Sequence, residues 1–232
     1  MQDASPAAGP ADGLTDAQRT YFHTFGYLIL PGVFAGDMDE ISDAFEAAFA
    51  ASETPYESHE RIHGRERRLS LPNVMDDEPT LAKLPRHPRI QAVAHSLLGD
   101  EMEFAGSDAN LYFCDTLWHS DVFGSPLGQF HVKFSLYLDS VDAHNGAIRV
   151  IPGSQFIGET YSSMLRRTFR NPEEVPSLLG AEAESLPAVV LASRPGDVVL
   201  WNYRLMHASF GGRERRRHIS FGFREPTRAS DN

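Results

Sequence analysis

The 232-residue sequence has a single cysteine, Cys114, which excludes an internal disulfide framework. A chain without disulfides fits a reducing compartment, so we expect a cytoplasmic protein. No apolar run is long enough to cross a bilayer. Basic residues are also scarce, since 21 Lys and Arg stand against 32 Asp and Glu and give a net charge of −11. Such a chain is repelled by phosphate backbones and anionic lipids, so we expect neither nucleic acid nor a membrane as partner.

Residues 1–13 are rich in Ala, Pro and Asp and have no basic start and no apolar stretch. This composition predicts a disordered tail and argues against a secretory signal. Residues 14–228 have the length and apolar content of a single globular domain. Within this domain, 52–88 and 156–187 are predicted to be long insertions. The first is polar and interrupted by prolines, so it is expected to have little regular structure and is typical of a lid or substrate loop.

The spacing of apolar residues changes along the chain. Caps and helical periodicity predict helices over 15–25, 37–49 and 90–98. A short strand is predicted at 27–30, before a Pro-Gly turn. From residue 100 onward, strand patterns separated by turn residues predict strands over 101–105, 109–114, 130–138, 147–151, 188–192, 197–201 and 216–223. Many short strands with regular turns are typical of a sandwich or barrel.

A first chemical motif reads Trp-His-Ser-Asp over 118–121. Alternate residues of an extended strand point to the same side, so His119 and Asp121 are predicted to enter one cavity. His207 is the best third partner, because it follows a predicted strand and precedes a glycine turn. Two histidines and one carboxylate on one face of an octahedron suit iron(II), which keeps three positions for a bidentate co-substrate and oxygen. A lone His-x-Asp pair is common, so the hypothesis depends on its surroundings.

A second group of candidates follows His207. Ser209 lies two residues further on, and an arginine cluster comes next: Arg213, Arg215, Arg216 and Arg217. An arginine at the start of the last strand can hold a dicarboxylate through a two-pronged ion pair. Most of these arginines are interpreted as a solvated turn, with one of them pointing inward.

Taken together, these motifs resemble the phytanoyl-CoA dioxygenase family. The resemblance covers about 110–223 and rests on His119-x-Asp121, the His-Asn-Gly-Ala…Pro-Gly-Ser block over 144–154, Arg-Pro-Gly-Asp over 194–197, His207-Ala208-Ser209 and Arg216-Arg217. The Asn-Gly-Ala…Pro-Gly-Ser block is its most specific part. The motif at 118–121 is also similar to that of the bacterial ectoine hydroxylase branch.

The resemblance implies a mainly β fold, a double-stranded β-helix or jelly roll, with N-terminal and flanking helices. It implies a non-haem dioxygenase that uses iron(II), 2-oxoglutarate and O2 to hydroxylate or otherwise oxidise an unactivated C–H bond of a small molecule, releasing succinate and CO2. His119, Asp121 and His207 would be the iron ligands. Asp121 favours hydroxylation over halogenation, because related halogenases carry a small residue in place of the carboxylate.

The resemblance also implies candidate residues for binding 2-oxoglutarate. Arg216 matches the family's co-substrate arginine best, and Arg217 is the alternative because the gap after His207 is short. Ser209 matches a position that often touches the co-substrate. Lys133 either pairs with a carboxylate of 2-oxoglutarate or is an exposed strand lysine, and Asn110 is a further candidate on the preceding strand.

Competing interpretations exist. The segment 59–63 matches the His-Glu-x-x-His pattern of zinc proteases, but Gly64 and polar flanks argue against the required helix and favour a surface loop. The triad could also belong to a non-catalytic metal-binding jelly-roll module or to a zinc-dependent hydrolase. The complete set of ligands together with the co-substrate arginine argues against the binding module, and a zinc hydrolase gives Arg216 and Ser209 no obvious purpose. The remaining histidines, such as His218, have no spacing that demands a metal and are expected to be structural or exposed.

Overall fold

The structure is a computed structural model that describes residues 13–52, 56–57, 68–122, 129–171, 174–212 and 214–226. Two predictions therefore lie outside the described residues: the tail over 1–12 and the loop interpretation of 59–63. None of the helices in the described parts of the chain is both long and apolar enough to span a bilayer.

The N-terminal elements follow the predicted pattern. Helix α1, Asp16–Phe25, begins with a reciprocal capping box between Thr15 and Gln18 and ends at Gly26 in the left-handed conformation. Strand β1, Tyr27–Leu30, is buried throughout. Helix α2, Met38–Ala51, buries Ile41, Ala44 and Phe45 on one face, as the periodicity of its sequence predicts.

The prediction of little regular structure over 52–88 is wrong for its second half. The region contains β2 (Tyr56–Glu57), β3 (Arg68–Pro72), helix α3 (Val74–Asp77), a 3-10 helix (Leu81–Arg86) and the start of α4 (Pro88–Leu98). Strand β3 extends the main sheet. Its alternate residues Arg68 and Ser70 point into the molecule, so the strand lacks an apolar inner face by which it could be recognised.

A second correction concerns the strands predicted at 101–105 and 109–114. They form one strand, β4, Glu103–Tyr112. The segment between them was left out of both predicted strands, yet Ser107 and Asp108 continue the ladder with Phe221 and Ser220. Asp108 is polar because it lines an internal cavity, not because the chain turns there.

Five further strands lie close to their predicted positions: β6 (His131–Tyr137), β7 (Ile148–Val150), β8 (Val189–Leu191), β9 (Val198–Asn202) and β11 (Arg216–Arg224). Two short strands were not among the predicted ones: β5 (Thr116–His119) and β10 (His207–Ser209). The second insertion carries helices α5 (Thr160–Thr168) and α6 (Val175–Leu179) and a 3-10 turn (Ala183–Ser185).

Two antiparallel sheets make up the body of the fold. One has the order β1-β9-β6-β11-β4-β3-β2 and the other β5-β10-β7-β8. The outer face of the larger sheet packs against the helices through residues such as Phe134, Ile219 and Phe221. A smaller apolar cluster, including Ile29, Val150 and Trp201, lies where the two sheets approach each other. This is the predicted double-stranded β-helix with flanking helices.

The inner face of the larger sheet is unusually polar. Cross-strand register aligns its side chains in rows: Arg68, Tyr112 and Arg216; then Ser70, Asn110, His218 and Tyr137; then Asp108, Ser220 and Ser135; then Gly222, Lys133 and Trp201. Strand β11 therefore runs from Arg216 at one end of the interior to Gly222 and Arg224 at the other. These rows position the candidate site.

Candidate metal centre and co-substrate pocket

His119, Asp121 and His207 converge between the two sheets. His119 ends β5 and pairs directly with His207, which begins β10, and their ring centroids are 4.2 Å apart. Asp121 follows two residues after His119, and its carboxylate oxygens lie 3.9 Å from His119 Nε2 and 3.7 Å from His207 Nε2. One ligand atom from each residue lies within 4.8 Å of the others, close enough to share one ion.

Both histidines are oriented by the backbone of their own strands. His119 Nδ1 is 2.7 Å from the Leu117 carbonyl oxygen, and His207 Nδ1 is 2.8 Å from the Leu205 carbonyl oxygen. Because a carbonyl oxygen only accepts, each Nδ1 carries the proton and each Nε2 lone pair is available to a metal. Burial lowers the pKa of His207, which favours the neutral, ligating form.

Asp121 is held from three sides. Its backbone N–H donates to the Tyr203 carbonyl oxygen at 2.8 Å, and Trp201 Nε1 donates to Oδ2 at 3.3 Å. Lys133 Nζ lies 3.6 Å from the same oxygen. Burial alone would raise the pKa of Asp121, but the charge of Lys133, with the two histidines, holds it well below its ordinary value. The result is an ionised carboxylate beside two neutral imidazoles, a donor set that fits a divalent iron ion.

Arg216 points into the same interior and is almost fully buried. Its Nη1 donates to the Gly146 carbonyl oxygen at 2.6 Å and to Ser209 Oγ at 2.9 Å, while that hydroxyl donates to the same carbonyl. Its guanidinium carbon lies 5.0 Å from the centre of the Tyr112 ring. Among the described residues, its Nε atom has no hydrogen-bond partner, so a donor remains available for a ligand.

Two motif glycines make room for this guanidinium. A Cβ atom on either Gly146 or Gly212 would overlap Arg216 Nη1. Gly146 also has a φ of 97°, in the region that favours glycine. The neighbouring Ser154 accepts a hydrogen bond of 2.8 Å from the Met206 N–H, which fixes the chain just before His207. The Asn-Gly-Ala…Pro-Gly-Ser block therefore shapes the pocket and supports the triad without supplying a ligand.

Arg68 is a pocket residue that the sequence did not reveal. It lies beside Tyr112 on the side opposite Arg216, with Nη1 donating to the Tyr112 hydroxyl at 3.2 Å and its guanidinium carbon 5.6 Å from the ring centre. Its Nε is also buried without a partner in the described part of the chain. In sequence, Arg68 lies in the polar segment 52–88, which was predicted to be a loop with little regular structure. The alternation of Arg68 and Ser70 with two leucines was the only available signal.

The remaining candidates divide between the pocket and its surroundings. The structure contradicts the alternative that Arg217 is the co-substrate arginine. Neighbouring strand residues point to opposite faces, and the Arg217 guanidinium binds Asp139 at 2.7 Å and Glu46 at 3.2 Å on the outer face of the sheet. Lys133 faces the interior beside Asp121, so it is not an exposed strand lysine. Asn110 is buried, and its amide donates to Asp108 at 2.6 Å.

Behind the pocket lies a buried polar network that the sequence did not predict. His218 contacts Ser135 Oγ at 2.7 Å through Nε2 and the Asn110 amide at 3.3 Å through Nδ1. Ser220 Oγ donates to Asp108 Oδ1 at 2.5 Å. Burial lowers the pKa of His218 to about 3, so its ring is neutral at physiological pH.

A double-stranded β-helix that encloses two histidines, one carboxylate and buried arginines defines a non-haem iron oxygenase of the 2-oxoglutarate-dependent class. The chain belongs to the phytanoyl-CoA dioxygenase (PhyH) family, whose model matches residues 22–218. It is 27% identical over 221 residues to the ectoine dioxygenase of Sphingopyxis alaskensis, a match that covers 84% of this chain and 70% of that protein.

Solved structures have the same fold. The protein EctD from S. alaskensis, crystallised with 2-oxoglutarate and 5-hydroxyectoine, gives a TM-score of 0.67 at 23% identity, and the match covers 96% of this chain and 79% of that chain. The 2-oxoglutarate-dependent carbocyclase SnoK from nogalamycin biosynthesis gives 0.71 at 20% identity, covering 94% and 88%. The chain is therefore an iron(II)- and 2-oxoglutarate-dependent dioxygenase that acts on a small molecule, as the sequence resemblance implied.

Proposed function

We propose that His119, Asp121 and His207 bind the iron and that Arg216 binds the distal carboxylate of 2-oxoglutarate. The observation that carries this assignment is the placement of the buried Arg216 guanidinium in the pocket that contains the triad. Ser209 and Arg68 complete the carboxylate site, because Ser209 holds Arg216 in place and Arg68 adds a second guanidinium across Tyr112. A dicarboxylate fits this pocket, because one of its ends can bind the metal and the other can pair with the guanidinium groups.

Iron(II) with 2-oxoglutarate and O2 supplies the oxidation of the substrate C–H bond, with release of succinate and CO2. The protein's own contribution is placement. The Leu117 and Leu205 carbonyls fix the two imidazoles, and Trp201 fixes the Asp121 carboxylate. Arg216 neutralises a carboxylate that is shielded from bulk water.

The pocket is narrow, with about 60 Å³ of free volume, so one of the two guanidinium groups has to move when a five-carbon dicarboxylate enters. The flexible stem of Arg68 can adjust, whereas Arg216 is confined by Gly146 and Gly212. Arg68 is therefore the residue whose side chain moves.

The substrate is a small molecule, in keeping with the relation to ectoine dioxygenases. Hydroxylation is the favoured oxidation because Asp121 keeps the carboxylate ligand. The net charge of −11 supports our exclusion of nucleic acid and anionic membranes as partners. The single buried thiol, Cys114, is consistent with a reducing, cytoplasmic location.

The test is the visible charge-transfer absorption that 2-oxoglutarate produces when it chelates iron(II), recorded under anaerobic conditions. We expect the wild-type protein to show the band and His207→Ala to lose it together with the iron. Arg216→Met is expected to keep the iron but to need much more 2-oxoglutarate. Exposed His95→Ala and Arg215→Met are the matched controls, because each removes the same kind of side chain outside the pocket. No band in fully iron-loaded wild-type protein would overturn the assignment.

A further inference from the structure

A second cavity opens beside the metal centre. It has a volume of about 340 Å³ and shares Asp121 and Lys133 with the co-substrate pocket. The rest of its lining comes from the end of the sheet remote from Arg216 and includes Asp108, Gly222 and Arg224. We call this space the outer cavity. Its volume lies near the lower end of the range for small-molecule sites, about 300–1,000 Å³, and it borders the iron ligand Asp121, so it is where a substrate meets the metal.

Lys133 presents a cation with unused hydrogen-bond donors to the outer cavity. It projects from the middle of β6 between Trp201 and Gly222, so one of its neighbours has no side chain. Its Nζ lies 3.6 Å from Asp121 Oδ2 and 6.0 Å from the Trp201 ring centre. It donates no hydrogen bond to any residue that the structure describes, although an ammonium has three donors. Asp121 can occupy one of them, which leaves the others for a ligand.

Asp108 presents an unused acceptor to the same space. Its Oδ1 accepts from Ser220 Oγ at 2.5 Å and from the Asn110 amide at 2.6 Å. Its Oδ2 accepts no hydrogen bond from the described residues. Burial alone would raise the pKa of Asp108, but the charge of Lys133 and the hydrogen bond from Ser220 contribute to holding it below its ordinary value, so the group is ionised. Within the described chain, Asp108 and Lys133 form no ion pair with each other.

Two opposite charges thus face one cavity without contacting each other. An apolar substrate would separate both groups from water and leave the remaining donors of Lys133 and the Oδ2 atom of Asp108 without a partner, which is costly for buried charges. A molecule with a carboxylate and an ammonium replaces that water with two charge-assisted hydrogen bonds. His131, stacked on Tyr203 with ring centroids 4.3 Å apart, gives the carbon skeleton a flat wall.

Building on the proposed function, we propose that the outer cavity binds a small zwitterionic substrate, an amino acid or a close derivative, with its carboxylate on Lys133 and its amino group on Asp108. The contact with Lys133 places the carboxylate end of the substrate beside Asp121, and therefore its adjacent carbons beside the iron. Lys133 and Asp108 are then the residues that determine substrate specificity.

The experiment uses wild-type protein loaded with iron(II) and 2-oxoglutarate without oxygen. The standard L-amino acids and their N-methylated forms are added one at a time, and the change in the charge-transfer band gives their affinity. Succinate formation in air is the second readout. Each compound that changes the band is compared with its carboxamide, which lacks the carboxylate, and with its N-acetyl form, which lacks the ammonium. We expect each of these losses to weaken binding about tenfold or more.

The variants distinguish a loss of substrate recognition from general damage to the site. Lys133→Met should lose the preference for acid over carboxamide but keep the preference for free amine, and Asp108→Asn should show the opposite pattern. Lys133→Arg should keep both preferences. Lys83→Met is the matched control, because Lys83 also faces a carboxylate, Glu40 at 3.0 Å, but lies on the surface away from the cavity.

Two results would overturn this proposal while leaving the proposed function intact: a wild-type band that no zwitterion in the panel perturbs, or unchanged preferences in both Lys133→Met and Asp108→Asn. Failure of the band to form in wild-type protein would instead overturn the proposed function. Iron and 2-oxoglutarate binding are checked first in each variant, so that a disturbed Asp121 is not mistaken for lost substrate recognition.

Discussion

Gly146 and Arg216 are in such close contact that no side chain fits between them. The carbonyl oxygen of Gly146 accepts a 2.6 Å hydrogen bond from Arg216 Nη1, and a Cβ on Gly146 would overlap that same nitrogen. The glycine of the Asn-Gly-Ala turn and the arginine of the last strand therefore form one unit, although 70 residues separate them in sequence. The position of Arg216, our proposed co-substrate arginine, therefore depends on the absence of a side chain at Gly146.

Gly146→Ala should consequently behave like a variant of Arg216. We expect 2-oxoglutarate affinity to fall about tenfold or more, since a charge-assisted hydrogen bond contributes about 1.5–3 kcal/mol, with iron affinity unchanged. Titration of the charge-transfer band measures both. The control is Gly153→Ala, because Gly153 has a similar positive φ of 79° but nothing within 4 Å of its Cβ position. Equal losses in the two variants would show that backbone strain, not displacement of Arg216, is responsible.

Trp201→Phe should weaken iron binding while preserving the core. Its Nε1 donates to Asp121 Oδ2, and loss of such an outer hydrogen bond typically lowers metal affinity by about 10–100-fold. Competition with a chelator measures the change. Trp118→Phe is the matched control, since Trp118 Nε1 donates to the Ala183 carbonyl oxygen in a separate cluster. If both variants bind iron with the same affinity, the hydrogen bond from Trp201 does not support metal binding.

Arg217→Met should affect stability and not co-substrate binding. Arg217 bonds to Asp139, Ser42 and Glu46 on the outer face of β11. Loss of these partly exposed contacts is expected to lower the free energy of unfolding by about 1 kcal/mol, measured by urea titration. The 2-oxoglutarate affinity should equal that of wild type. If Arg217→Met instead needs much more 2-oxoglutarate and is as stable as wild type, then Arg217, and not Arg216, is the co-substrate arginine.

Stability should fall in acid because His218 is buried in its neutral form. Its pKa is about 3 in the folded chain against an ordinary 6.5, so only the unfolded chain binds a proton between these values. The penalty is absent above 6.5, grows as the pH falls, and is complete below about 3. For this one group the slope approaches about 1.4 kcal/mol per pH unit.

The measurement compares the metal-free wild type with His218→Gln, which has no proton to gain at this position. Urea unfolding at about pH 7 and about pH 5 should give a smaller decrease for the variant, because the other histidines contribute equally to both proteins. Identical decreases would mean that His218 is protonated at little cost in the folded chain.

The triad was predictable because its signal is local and chemical. His119 and Asp121 need only the two-residue period of an extended chain, and His207 stands out beside a glycine turn. Arg216 was preferred over Arg217 by resemblance alone, and strand alternation gives the physical reason: one of two neighbours must face inward, and the pocket contains the glycines that admit Arg216.

Strand β3 and the continuity of β4 were not predictable, because their sequences lack the apolar pattern expected of a strand. A strand that lines a polar cavity carries polar residues on the face where an apolar stripe is expected. Arg68, Ser70 and Asp108 therefore looked like loop residues. Likewise His218 has no local partner, since Ser135 lies 83 residues away and Asn110 lies 108 residues away in sequence.

Strand β11 acts as the spacer of the site. Arg216, His218, Ser220 and Gly222 succeed one another along its inner face, while Ile219, Phe221 and Phe223 fill the core behind it. Insertion of a single residue would exchange the two faces, moving the phenylalanines into the catalytic interior and the polar residues into the core. A change in the length of β11 is therefore expected to disturb both the interior and the core, whereas a substitution at one position changes only one of them.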